Sequence, residues 1–338
     1  MDYCPPELVL NIASYACVDG GKTGCSLSLV SRYIRGATAR ARYQSVALFD
    51  PDGLLSFANL VTERHVEVPP LHLFVSLEDF NFKEQDGGGR AENALALVLL
   101  HVSPTLRALT IHCINANTVA LTLAKQSIAF LELTDLSISD FFLPSSISII
   151  KGRFPSLRRL HVSHDTMRFK SVKFFEALAS TLPTITHLRF AWYDQDGDFA
   201  ALLCEILRDP ASEDNNQETG LQYVFPPWSD IAIEARKVAE TLEKLKVIIV
   251  QLAMLTPDTL AAPGVTHEAM ETSLENVARE DRSGLGRGQF ILLPASPEAR
   301  NYYTVQEAKK DWLDLVGGGD GPWSLPETSG DVRSALHI

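Results

Sequence analysis

The chain has 338 residues, enough for about two structural units at ~150 residues each. Apolar residues make up 46% and charged residues 21%, ordinary globular usage that excludes disorder as the main state. Acidic residues number 42 and basic ones 30, and the formal charge of −12 argues against a nucleic-acid or anionic-membrane binder, though not against a local basic face.

Five cysteines (Cys4, Cys17, Cys25, Cys113, Cys204) are scattered, odd in number and free of any C-x-x-C spacing. They point to a reducing compartment rather than a disulfide framework. The start, Met1 to Glu7, lacks the basic region and apolar core of a signal peptide. The longest apolar runs, such as Ala94 to Leu100, fall far short of the ~20 residues that cross a membrane. The expectation is a cytoplasmic or nuclear protein with no membrane partner.

The first fifty residues read as three short helices and a strand. Pro6 suits a first helical turn, and Leu8, Ile12, Tyr15 and Ala16 share one helical face. Asp19-Gly20-Gly21 ends that helix. Cys25 to Val30 is a second apolar stretch, and Ser31 to Gln44 carries Tyr33, Ile34, Ala37, Ala41 and Tyr43 among arginines. Val46 to Phe49 reads as a short strand. So small a unit has a weak core of its own and leans on a neighbour or a partner.

Three blocks in this region stand in a particular order: Pro5-Pro6-Glu7-Leu8-Val9-Leu10-Asn11-Ile12, Leu27-Ser28-Leu29-Val30-Ser31-Arg32-Tyr33, and Arg42-Tyr43-Gln44-Ser45-Val46. In order and spacing they resemble the F-box, and fungal F-box proteins in particular. Cys4 stands where that family usually has Leu, Ala13 and Ala16 replace larger aliphatics, and the loop from Val18 to Gly24 has its own character. The resemblance covers about the first 48 residues. It implies a docking module for the Skp-type adaptor of a cullin–RING ubiquitin ligase. Carried over by position, the adaptor face would hold Pro6, Glu7, Leu8 and Ile12 from the first block. Leu29, Val30, Ser31, Arg32 and Tyr33 would join them from the second. The plainer reading is that these are core residues of a small helical bundle.

A repeat follows. Leu106-x-x-Leu109-x-Ile111, Leu133-x-x-Leu136-x-Ile138, Leu157-x-x-Leu160-x-Val162 and Ile185-x-x-Leu188-x-Phe190 share one pattern, with central aliphatics 27, 24 and 28 residues apart. That period lies in the ~20–29 residue range of leucine-rich repeats. Weaker copies occur at Leu71 to Val75 and Leu242 to Val247. Helical spacing occupies the gaps at Ala91 to Val102, Asn117 to Ile128, Val172 to Leu182 and Phe199 to Leu207. Pro104, Pro155 and Pro183 stand just before three of the strand segments, where proline stops a helix and favours extended geometry. Single turns of this kind cannot bury their apolar face alone, so they stack. The Asn that usually closes the leucine-rich motif is missing. The alternative is a non-repetitive α/β domain with a parallel sheet.

The fold class expected is therefore α/β. Residues 1–48 form a small three-helix F-box-like unit. Residues 49–294 form a degenerate leucine-rich-repeat solenoid of strand–helix repeats on a parallel sheet, and 295–338 form a C-terminal helix and flexible tail. Side chains alternate across a strand. With Leu109, Ile111, Leu136, Ile138, Leu160, Val162, Leu188 and Phe190 inward, the open concave side would carry Thr110, His112, Ser137, Ser139, His161, Ser163, Arg189 and Ala191. Trp192 and Tyr193 would stand at its end. Aromatics and Arg are common interface anchors, which makes this ladder the expected target-binding surface. Near the C-terminus, Leu245 to Leu252 and Gln289 to Leu293 look strand-like, Thr304 to Val316 looks helical around Trp312, and Gly317 to Pro322 opens a loose tail.

Several catalytic lookalikes fall short. Gly20-Gly21-Lys22-Thr23 lacks the earlier glycine of a phosphate-binding loop, since position 16 is Ala16, so it reads as a turn between helices. Asp194, Asp196, Asp198 and Glu205 have calcium-loop spacing, but Phe199 stands where a sharp turn needs Gly. His161-Val162-Ser163-His164-Asp165 gathers triad residue types without a nucleophile elbow, and no zinc spacing occurs. Lys22, Arg32, Arg35, Arg40 and Arg42 form a basic stretch without acids that suits a solvated helix or an acidic adaptor. No cofactor, metal or catalytic residue is expected. The expected role is a non-catalytic ubiquitin-ligase subunit that docks an adaptor, through it a cullin, and a target protein. The alternative is a scaffold whose F-box-like segment is only an N-terminal cap, with Leu8, Ile12 and Tyr33 covered by its own repeats.

Overall fold

A computed structural model of the chain describes residues 4–63, 65–66, 68–77, 89–113, 122, 128–139, 151–164, 172–192, 197–207, 230–252, 267–281, 288–293 and 303–325. Three short helices open it: α1 (Pro6–Ala16), α2 (Lys22–Val30) and α3 (Arg32–Ala37). Eight strands follow: β1 (Ser45–Leu48), β2 (His72–Leu77), β3 (Ala108–Cys113), β4 (Asp135–Ser139), β5 (Arg159–His164), β6 (His187–Trp192), β7 (Val247–Leu252) and β8 (Gln289–Leu293). They make one sheet in chain order, and every neighbouring pair is parallel.

Parallel neighbours need a crossover between them. Helix α4 (Pro51–Thr62) joins β1 to β2, and α5 (Arg90–Val102) joins β2 to β3. Helix α6 (Val172–Thr181) joins β5 to β6. Helices α7 (Gly197–Leu207) and α8 (Asp230–Thr241) lie between β6 and β7, and α9 (His267–Asp281) between β7 and β8. Sequential order with crossovers of one hand keeps the crossover helices on one face of the sheet. This architecture is compatible with a repeat solenoid. The expected helix from Asn117 to Ile128 lies outside the described residues except at Thr122 and Ile128.

The spacing read from sequence is the register of the sheet. Leu73, Leu109, Leu136, Leu160, Leu188, Ile248 and Phe290 stand opposite one another across seven strands. All seven are buried in one continuous core with Leu95, Leu99, Phe174, Phe175, Leu178 and Leu203 of the crossover helices. The weak copy at Leu242 to Val247 is out by three residues. Ile248 pairs with Leu188, so Leu245-x-x-Ile248-x-Val250 is the in-register motif. Hydroxyls lock one repeat to the last: Thr134 Oγ1 donates to the Arg107 carbonyl at 3.1 Å, Thr184 Oγ1 to that of Leu157 at 2.8 Å, and Thr186 Oγ1 to that of Arg158 at 3.1 Å.

Strand β1 pairs with β2 and is the first strand of the sheet, so the N-terminal unit is spliced directly into it. Ser45 makes the joint: its Oγ donates to the Cys17 carbonyl and accepts from the Gly20 amide, both at 3.0 Å. Gln44 Nε2 adds a bond to the Ser14 carbonyl at 2.9 Å.

Two glycines test the helical packing. A Cβ at Gly24 of α2 would collide with the backbone of Arg42, whereas one at Gly36 of α3 would meet nothing within 4 Å. Gly24→Ala should destabilise the chain by about 1–3 kcal/mol. Gly36→Ala should stabilise it by about 0.5–1 kcal/mol, because Ala loses less backbone freedom in a helix. Denaturant midpoints of the two variants check both signs.

Candidate functional site

Two surfaces carry the residues singled out from sequence. The first is the N-terminal unit. Pro6 occupies the first turn of α1, with Glu7 beside it. The Asp19 carboxylate caps α2, accepting from the Thr23 amide at 3.0 Å and the Thr23 hydroxyl at 2.7 Å. Gly20-Gly21-Lys22-Thr23 is thus the helix-joining turn that its sequence suggests, and this chain's own carboxylate sits at the helix N-terminus. Ser31 caps α3, its Oγ accepting from the Ile34 amide at 3.1 Å. Small residues let the helices close: Ala13, Cys17 and Ala41 are buried together with Leu10 and Leu27 against them.

What remains outside is apolar. Leu8 is 52% exposed, Ile12 67% and Tyr15 85%, along one face of α1. Leu29 is 79% exposed and Val30 64%, at the end of α2. The Tyr33 hydroxyl donates to the Cys4 carbonyl. That bond ties the α2–α3 junction to the start of α1, so Leu8, Leu29 and Val30 lie at one end of the unit. Pro6, Glu7, Ser31 and Arg32 are exposed there too, and Tyr33 is half-buried. Leu8 and Ile12 are not covered by the repeats, as a cap would have them. Lys22, Arg32, Arg35 and Arg40 are exposed around this unit, while Arg42 lies over the Tyr43 ring at 4.9 Å.

The second surface is the concave face. Alternation places Thr110, Ser137, His161 and Arg189 in one row across β3 to β6, and His112, Ser139 and Ser163 in the next, as expected. The expectation of an open ladder is corrected. Thr110, His112, Ser139, His161, Ser163 and Arg189 are buried, and Ser137 is only half-exposed. Over Thr110, His112, Ser137 and His161 the cover is the C-terminal segment: Tyr303, helix α10 (Val305–Val316) and a single 3-10 turn (Gly321–Trp323). Trp192 ends β6, its side chain outside the described residues, and Tyr193 lies outside them altogether.

The cover is apolar at both ends and polar in the middle. Trp312 and Ala308 pack on Phe74 of β2, with the Trp312 and Phe74 rings 5.7 Å apart. Lys309 Nζ stands 4.3 Å over the Phe49 ring. At the other end Trp323 is buried with Val247, Ile249, Ile291 and Leu293. Between them the Tyr303 carbonyl meets His112 Nε2 at 2.9 Å, which makes that nitrogen the protonated one because a carbonyl only accepts. The Tyr303 ring stands edge-on to His161 at 4.7 Å, and its hydroxyl donates to Asp311 at 2.6 Å. Arg189 donates to Gln251 at 2.6 Å.

Ser137 Oγ and His161 Nδ1 are 3.0 Å apart, a nucleophile–base spacing, but the imidazole is fully buried beneath Tyr303. Burial, then Arg189 and His112, pushes His161 well below its ordinary range. Burial, then Asp311, holds the Tyr303 hydroxyl protonated well above its usual range. Burial raises the Asp311 carboxyl, opposed by the Tyr303 hydrogen bond and by Arg189. Of the calcium-like set, Asp194 and Asp196 lie outside the described residues, as do the side chains of Asp198 and Glu205. Among the described residues no cluster of His, Cys, Asp or Glu could hold a metal ion, and no helix is long and apolar enough to cross a membrane.

Sequence reasoning missed the cover, although the Thr304-x-x-Glu307 capping box announces its helix. The Glu307 carboxylate accepts from the Thr304 amide, and Thr304 Oγ1 accepts from the Glu307 amide. The tail after Gly317 is not loose as far as Leu325. Gly318 and Gly321 take positive φ, and the turn they build brings Trp323 back to the sheet. No protein-family model matches the chain, and no curated protein matches it by sequence.

The buried His161 gives stability a pH sign. Its unfolded form protonates near 6.5, the folded form only well below that. Below 6.5 the unfolded state therefore binds more protons, and stability falls as the pH drops from 7 to 5. His161 contributes up to about 1.4 kcal/mol per pH unit in that window, with Asp311 acting in the opposite sense at its acidic end. Urea midpoints measured at pH 7, 6 and 5 should decline, and His161→Gln should flatten that decline.

Proposed function

We propose that the chain is an F-box-type substrate-recognition subunit of a cullin–RING ubiquitin ligase. Helices α1 to α3 dock a Skp-type adaptor, and the leucine-rich-repeat-like sheet and its helices hold the target. The observation that carries this reading is the apolar stripe of Leu8, Ile12, Leu29 and Val30, exposed on a unit whose own core is already filled by Ala13, Cys17 and Ala41. A rim of Lys22, Arg32, Arg35 and Arg40 suits an acidic partner. The first two of the three ordered sequence blocks supply the four stripe residues. With the concave ladder covered by α10, the target is held on the rim or the helical side rather than on Thr110, Ser137 and His161. Catalysis in such a complex is proximity: tethering raises the effective concentration of the target near the transferring enzyme.

Leu8 and Ile12 are exposed, so truncating them separates docking from folding. Co-expressed with a Skp-type adaptor, the wild-type chain should elute as a stoichiometric complex. Leu8→Ala combined with Ile12→Ala should weaken that complex roughly 10- to 100-fold while the thermal midpoint stays put. A folded wild-type chain that forms no complex, or a double variant that binds as well, would end this reading.

A further inference from the structure

The residues just before each strand form a row of their own. Arg107, Thr134, Arg158, Thr186, Lys246 and Gly288 precede β3 to β8 in register, so basic and hydroxyl side chains alternate along the rim. Adjacent strands lie ~4.8 Å apart, which sets Arg158 and Lys246, two strands apart, about 10 Å from each other at the backbone. Long side chains close that gap onto one ligand group. An open cleft of about 720 Å³ lies along this rim, lined by Arg158, Arg159, Thr186, His187 and Lys246, with Trp323 and Val247 as its apolar wall.

The charges in the cleft are not balanced. Arg159 is paired with Asp135. Arg158 and Lys246 are exposed and make no ion pair or side-chain hydrogen bond among the described residues. Asp320 is a second carboxylate on the lining, beside the Trp323 turn and open to solvent. The field reaches His187, whose imidazole is lowered by burial and then by Arg159 and Lys246. In a chain of net charge −12, two cations with no ion partner among the described residues face one cleft.

Arg158 and Lys246 against the one open carboxylate of Asp320 leave the cleft net positive, which matches an anion, and a guanidinium fork matches phosphate oxygens. The cleft is far wider than a bare phosphate, and its Trp323 side is apolar. We propose that this cleft binds an organic phosphate monoester, its phosphate held between Arg158 and Lys246 and its organic part against Trp323. The proposal is independent of the adaptor reading, since the cleft lies on the rim of the sheet away from Leu8 and Ile12.

Calorimetric titration of the full chain tests it, with phenyl phosphate, inorganic phosphate and a five-residue phosphoserine peptide as probes. Phenyl phosphate or the peptide should bind one to one, at least tenfold tighter than inorganic phosphate. The tighter of the two identifies the organic part as small and aromatic or as peptide. Arg158→Gln with Lys246→Gln should weaken binding at least tenfold with an unchanged melting temperature, because both side chains are exposed. Arg158→Lys, which keeps the charge and loses the planar fork, should fall between. Raising the salt from 0.05 to 0.5 M should weaken the wild type. Absence of binding by both organic probes, equal affinity for inorganic phosphate, or undiminished binding by the double variant would overturn the proposal.

Discussion

A parallel sheet has two faces, and both must be kept from water. That constraint organises this molecule. The crossover helices cover one face with the Leu109, Leu136, Leu160 and Leu188 row at its centre. Among the described residues no crossover helix covers the other face, because sequential order places the crossovers together. The chain solves this by returning α10 and Trp323 across the concave side. Burial of a residue such as Trp312 is worth about 3–5 kcal/mol against truncation, which anchors the cover at its β2 end. The middle of the cover is polar: His112 meets the Tyr303 carbonyl, the Tyr303 hydroxyl donates to Asp311, its ring stands edge-on to His161, and Arg189 donates to Gln251, at the cost of strongly displaced titrations for His161 and Tyr303.

Closing the concave face changes where the molecule can meet others. The polar ladder that alternation singles out is internal, so its histidines and Arg189 serve packing under α10. Apolar surface still open to solvent is concentrated on α1 and α2, at Leu8, Ile12, Tyr15, Leu29 and Val30. Exposed positive charge with no ion partner among the described residues is found on the rim, at Arg158 and Lys246. The two features are of different chemistry and sit on different parts of the fold, one suited to a helical protein partner and one to an anion.

The sheet was legible in the sequence because its signal is local and repeated. The Leu-x-x-Leu-x-Ile spacing places β3 to β6, and the in-register pairing follows from it. The last motif slipped by three residues because Leu242, Leu245 and Ile248 are all aliphatic at the same interval, and only pairing chooses among them. Helix α4 went unread although Asp50 and Pro51 are a cap and a first-turn proline, with the Asp50 carboxylate accepting from the Gly53 amide. Helices α8 and α9 are rich in charged residues and carry few large aliphatics, so their periodicity is faint. The helix of the cover was legible, at Thr304 to Val316, but its place across the sheet was not. Alternation says which residues share a face, but not what lies on it. A glycine-rich run such as Gly317 to Gly321 looks the same whether it frays or folds back a tryptophan.

Hydrogen–deuterium exchange of the intact chain tests the closed face most directly. The amides of α10 from Ala308 to Val316 should exchange as slowly as those of β2 and β3 beneath them, because opening the helix would expose Trp312 and Phe74 together. Fast exchange across α10 with β2 and β3 still protected would contradict the account, and would return Thr110, His161 and Arg189 to an open surface.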